Sequence, residues 1–289
     1  MTSPTATPLP ESGEGRPSRG SMLPPVPPPK NKKTALEEWG IEHLDRLGDM
    51  ALLLVGSVRS FFSRPFELRE IINQIASIGV SSLGLTFITG LFVGMVMALQ
   101  FALSLTQFGG LEYTGRIIGL SFSRELAPTL TSTLVGSRIA AGIAAELGSM
   151  AVTEQVDAIR ALGADPIKKL VMPRLVASVL GMPILCIISL VVGILGAMLV
   201  CDLQFGLPSG FFMSTALDAT YLADFWNGYL KTPVFGMIIA LVGCHFGLHT
   251  RGGTEGVGRS TTQAVVVTSV SILLADFGLT NVYAWIFPK

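Results

Sequence analysis

The feature that most constrains this chain is where its charges are missing. From Leu175 to Cys201 there are 27 residues without Asp, Glu, Lys or Arg, and from Ile71 to Leu111 there are 41. A hydrocarbon core about 30 Å thick is crossed by roughly 20 apolar helical residues. The first run therefore spans once, and the second holds one span and a loop. A water-soluble core could hide one such helix, but hardly four or five in 289 residues. Charged residues make up 14% of the chain, against about 25% in a soluble domain. The fold class is an all-α integral membrane protein of about five transmembrane helices. An N-terminal amphipathic interfacial helix and a short cytoplasmic coupling helix complete it.

Residues 1–35 hold nine of the 17 prolines. Such a stretch buries too little apolar area to offset its ordering entropy and reads as a disordered tail. It contains no apolar core of a cleavable signal peptide. Over 36–64, Leu44, Leu47, Ala51, Leu54, Val58 and Phe61 recur at steps of three and four, the pattern of a helix lying along a membrane interface. The transport domain follows at 66–287, with spans expected at 79–104, 125–149, 175–201, 232–249 and 261–287. Four of the spans carry a small residue at every fourth position: Gly90, Gly94 and Ala98; Gly136, Ala140, Ala144 and Gly148; Ser189, Gly193, Ala197 and Cys201; Gly236, Ala240 and Cys244. In lipid this device lets helices approach closely.

Basic residues set the orientation. The loop at 150–174 has four and that at 250–260 two, with Arg59, Arg64 and Arg69 before the first span; the opposite side has Arg116, Arg124 and Lys231. The N-terminus and both basic loops are expected in the cytoplasm. A formal net charge of zero argues against nucleic acid as a partner.

Ionisable groups at membrane depth are costly and generally face a bundle interior or cavity. The candidates are Arg124, Glu125, Arg138, Glu146 and Asp276. Arg138 either serves a substrate or pairs with a neighbouring helix. Glu125 and Asp276, near the outer ends of their spans, could form a proton relay. Residues Gly253 to Ser260 nearly match a phosphate-binding loop, but Arg259 stands where Lys is required and a membrane span precedes them. His245 and His249 have a zinc-compatible spacing without a third ligand nearby and read as interfacial histidines, so no metal is expected. The three cysteines lie in or at the ends of apolar runs without Cys-x-x-Cys spacing and read as packing residues.

The segment EQVDAIRALGADP at 154–166 carries the most information. It forms a short charged helix over 154–162, stopped by Gly163 with Pro166 beyond, between two spans. A transporter driven by a soluble motor needs such an element.

The stretch EQVDAIRALGADPIKKLVMPRL (154–175) resembles the cytoplasmic loop of MlaE/YrbE permeases, as do RELAP (124–128) and GTEGVGRSTTQAVV (253–266). That resemblance implies a homodimeric permease of an ABC-type lipid transporter, partnered by an ATPase and an MCE-domain protein. The family serves bacterial inner membranes and chloroplast envelopes; Glu11 and Glu14 make the tail a poor transit peptide, so a bacterial inner membrane is expected. The resemblance implies that ATP is used by the ATPase alone, with no cofactor bound by this chain and no enzymatic site of its own. Glu154, Gln155, Asp157 and Arg160 would make the polar contacts to the ATPase, and Val156, Ile159 and Leu162 the apolar ones. Gly163, Asp165 and Pro166 would set the exit turn. Glu255, Gly256, Gly258 and Arg259 belong to the second cytoplasmic motif. The transported species would be phospholipid, in a cavity lined by the first, second and fifth spans at the dimer interface. The rival readings are a polar-solute permease, an ion-coupled secondary transporter and a non-transporting membrane anchor.

Overall fold

A computed structural model describes residues 48–57, 59–60 and 68–286. The expected tail at 1–35 lies outside them, as do Leu44, Leu47, Val58 and Phe61 of the amphipathic pattern. Every described element is helical: α1 (Gly48–Ser57), α2 (Leu68–Gln107), α3 (Thr114–Ser121), α4 (Ala127–Val152), α5 (Gln155–Ala161), α6 (Met172–Phe205), α7 (Ser209–Ala219), α8 (Leu222–Leu248) and α9 (Gly253–Ile286). Among them α2, α6, α8 and α9 are long and apolar enough to cross a membrane. Burying every backbone N–H and C=O inside its own segment is what lipid demands of a spanning chain.

Five rods run the length of the bundle in alternating directions, and α4 is the fifth. Its 26 residues suffice to cross, but glycines, hydroxyls, Arg138 and Glu146 dilute its hydropathy. It is correspondingly embedded, packing on α2, α6, α8 and α9.

The small-residue stripes decide the packing. Gly90 faces Ser189 and Gly94 faces Gly193, so α2 and α6 run parallel with their backbones touching. A Cβ on Gly94 would enter the van der Waals shell of the Gly193 carbonyl oxygen. The row Gly236, Ala240 and Cys244 of α8 turns inward between α4 and α6. The hydrophobic window of α8 is 72% buried, whereas that of α9 is 11% buried. Thus α8 is the axis of the bundle and α9 leaves most of its apolar face unpartnered.

Four boundaries differ from the sequence expectation. α2 starts near 68 rather than 79, and α6 is continuous with a wide helical turn at Ile167–Val171 rather than starting at 175. α8 starts at Leu222 rather than 232, because Asp224, Asn227 and Lys231 continue the helix while looking like loop residues. The segment at 253–260, expected as a loop, is the first part of α9. Gly252 and Gly253, at φ +91° and +67°, make the turn that allows this.

Two π-type turns, Phe122–Leu126 and Ile167–Val171, each end shortly before a proline, Pro128 and Pro173. Proline donates no hydrogen bond and its ring collides with the carbonyl four residues back. A widened turn relieves the collision at the expense of one residue of register. Pro233 uses another remedy: the Tyr229 carbonyl it cannot serve accepts the Thr232 hydroxyl at 2.8 Å.

The amphipathic helix also differs in register. Leu53, Ser57 and Ser60 are buried, Leu54 and Met50 pack partly against the bundle, and Ala51 is exposed. The inward face is therefore rotated from the Ala51–Leu54 line that periodicity indicated.

Candidate functional site

The first constellation lies at the end of the bundle opposite α5. The π-type turn at Phe122–Leu126 directs Arg124 and Glu125 at α8. Arg124 Nε donates to Asp224 Oδ1 at 2.9 Å. Lys231 Nζ meets Glu125 at 2.9 and 2.8 Å, Asp276 at 3.2 Å and the Thr280 hydroxyl at 2.7 Å. Thr129 completes the network by donating to Asp276 Oδ2 at 2.9 Å. The Lys231 side chain is only 3% exposed. An ammonium buried to that degree is tolerable only with such partners around it. Glu125 and Asp276, paired in the sequence reading as a possible relay, thus do converge, with a lysine between them.

Beside this network lies a groove of about 290 Å³ between the first turns of α8 and the last turns of α9. Trp226, Leu230, Leu279, Val282, Tyr283 and Ile286 form its walls, and Lys231 and Asn227 its polar edge. An apolar slot beside a buried charge network has the chemistry of a site for an alkyl chain.

The second constellation is deeper. Arg138 lines another cavity of about 290 Å³ between α2 and α4, with Gln74, Ser77, Ser81 and Glu146. Its Nη1 donates to Ser82 Oγ at 3.2 Å. Among the described residues no carboxylate pairs with Arg138, because Glu146 is taken by Arg174 at 2.6 Å. Arg174 is buried and also donates to the Leu170 carbonyl at 2.6 Å. A guanidinium has five N–H donors, so Arg138 keeps capacity for an anion in the cavity.

The third is α5. Glu154 precedes it in the left-handed region at φ 59°, and Gly163 follows at φ +78°. Asp165 Oδ1 accepts the Ile167 N–H at 2.9 Å, which fixes the exit turn at Pro166. Glu154, Gln155, Asp157 and Arg160 are exposed, with Asp157 and Arg160 paired at 3.1 Å. The expected apolar docking face is not assembled as one surface. Val156 is buried and Ile159 packs against the protein's own core, while Leu162 is 86% exposed. A seven-residue helix has too few side chains to hold itself on the bundle and also to turn the same residues outward.

At the start of α9, Glu255 and Arg259 form an exposed i, i+4 pair at 3.3 Å. Gly256 backs closely onto the Arg251 carbonyl, and Gly258 is exposed with open space around it. The three cysteines are free and buried.

Sequence reasoning missed Lys231, Asp224 and Arg174 as partners of the charges it named. A signal existed for two of them: Asp224, Asn227 and Lys231 lie three and four residues apart, one helix face extended upstream of an apolar span.

These features define a multi-pass α-helical membrane protein with intramembrane charge networks, a side groove and a short helix at one end. The model for the permease MlaE matches residues 71–282. The chain belongs to the MlaE permease family. It is 40% identical over 211 residues to a probable ABC transporter permease of Synechocystis, covering 73% of this chain and 80% of that protein. A probable ABC transporter permease of Rickettsia felis is 36% identical over 243 residues, 84% of this chain and 94% of that protein. The Arabidopsis thaliana chloroplastic protein TRIGALACTOSYLDIACYLGLYCEROL 1 is 40% identical over 215 residues, 74% of this chain. The chain spans 61% of that plant protein's length.

Proposed function

We propose that this permease moves a phospholipid or similar lipid for an ABC transporter. The observation that carries the reading is the apolar groove between α8 and α9, edged by the Lys231 network. Its walls suit acyl chains. The Arg138 cavity offers a second place for an anionic head group. The family relation supports a permease, and the Arabidopsis relative carries the name of a galactolipid.

In this reading a separate ATPase hydrolyses ATP and grips the exposed charges of α5. Because Val156 and Ile159 anchor that helix to the core, force applied outside is transmitted into the bundle. Two copies assemble with α9 at or near their interface, where its unpartnered face is covered. An MCE-domain protein receives or delivers lipid at the end opposite α5. The assembly sits in a bacterial inner membrane with the N-terminus and α5 in the cytoplasm.

Reconstitution in vesicles with the ATPase, and transfer of a fluorescent phospholipid, tests this. ATP-dependent transfer that is lost on Leu230→Trp, which fills the groove, is the expected result. Transfer insensitive to groove filling would sink the lipid path. The Lys231–Glu125–Asp276 network favours one other reading, an ion-coupled carrier. That reading requires transport to collapse with the proton gradient and to proceed without ATP.

A further inference from the structure

In sequence, His245 and His249 have a zinc-compatible spacing but no evident third ligand nearby. The fold brings one from α1. Donor atoms of Asp49, His245 and His249 all lie within 4.8 Å of one another, where α1 meets the last turn of α8. His249 Nε2 stands 3.9 Å from Asp49 Oδ2. The other ring nitrogen, Nδ1, is 2.8 Å from the His245 carbonyl oxygen. Nδ1–H donating there directs the Nε2 lone pair toward Asp49. Holding a ligating imidazole by a bond from its second nitrogen to a backbone carbonyl is how proteins orient metal-binding histidines. His249 also caps the C-terminus of α8, where the helix dipole favours a cation.

We propose that Asp49, His245 and His249 bind a divalent transition metal ion, with Zn²⁺ the best match to two imidazoles and a carboxylate. Ligand atoms in a tetrahedral zinc site, with bonds of about 2.0–2.1 Å, are about 3.3 Å apart. Closing the present spacing takes shifts on the order of an ångström. Asp49 and His249 are about half exposed, so side-chain rotation can supply them. A solvent molecule would complete the coordination. The ion would staple α1 to the end of α8. Gly56 of α1 also lies against Ile167, just beyond α5, so occupancy would stiffen the platform that carries α5.

The test uses the full chain purified in detergent without a histidine tag, stripped with chelator and titrated with ZnCl₂ by calorimetry. One Zn²⁺ per chain is expected, with affinity reduced at least tenfold in both His249→Ala and Asp49→Asn. Both residues are half exposed, so metal-free melting temperatures should match the wild type. Co²⁺ should give the intense visible bands of a four-coordinate site in the wild type and lose them in both variants. His43→Ala, which removes the remaining histidine of the chain, should leave binding unchanged. Absence of stoichiometric uptake at micromolar Zn²⁺, or affinity undiminished in either ligand variant, overturns the site.

Discussion

At the scale of the residue, the charges of this protein divide into those locked to one another and those left with spare capacity. Lys231 is locked. Replacing it with Met leaves Glu125 and Asp276 side by side without their cation. Breaking such a buried pair costs about 3–5 kcal/mol, toward the lower figure here because Glu125 is 38% exposed. Thermal melting of Lys231→Met in detergent should fall well below wild type. Adding Glu125→Gln and Asp276→Asn should restore most of the loss, since no unpaired charge then remains. Arg138 is the opposite case, bonded to one hydroxyl at the edge of a cavity. Arg138→Ala should melt near the wild-type temperature while lowering lipid transfer several-fold. Wild-type transfer in that variant would reduce Arg138 to a structural hydrogen bond.

At the scale of the element, glycines of the same helix have opposite meanings. Gly94 lies backbone to backbone with Gly193, whereas nothing lies within 4 Å of where a Cβ on Gly84 would sit. Helix propensity alone favours Ala over Gly by about 1 kcal/mol. Gly84→Ala should therefore be neutral or stabilising. Gly94→Ala should destabilise by about 1–3 kcal/mol, because it forces two long helices apart. Melting curves of the two variants decide it, and equal effects would contradict the α2–α6 contact. The four-residue stripes of small residues were legible in the sequence because close packing in lipid requires them. The ends of the helices were not. Hydropathy marks where lipid begins, but α2, α6 and α8 continue beyond their apolar cores, carried by backbone hydrogen bonds that need no apolar side chain.

At the scale of the molecule, α5 and the ends of α4, α8 and α1 gather at one end, while α3, α7 and the Lys231 network gather at the other. The three native cysteines are buried, so single introduced cysteines report sidedness cleanly. Leu162→Cys and Leu217→Cys should react with an impermeant maleimide from opposite faces of the membrane; both positions are exposed. Labelling of both from one face would overturn the five-crossing topology. Charge reversal at Glu154 and Asp157 should abolish co-purification of an ATPase while leaving insertion intact. Retained ATPase binding would remove α5 from the coupling role.

Of the five crossings indicated by the sequence, four described helices are long and apolar enough to span a membrane; the fold class, the packing stripes and the short helix between spans were legible along the chain. Each follows from local physics: uncharged length, residue size at a fixed helical period, and glycine and proline at helix ends. Tertiary structure alone decided the partners. Lys231 meets Glu125 and Asp276 across 106 and 45 residues of chain, and Asp49 reaches His249 from a different helix. Periodicity tells which face a residue occupies, but not which other face it will meet. Packing geometry selects that partner, and here it joined charges that the sequence could only name one at a time.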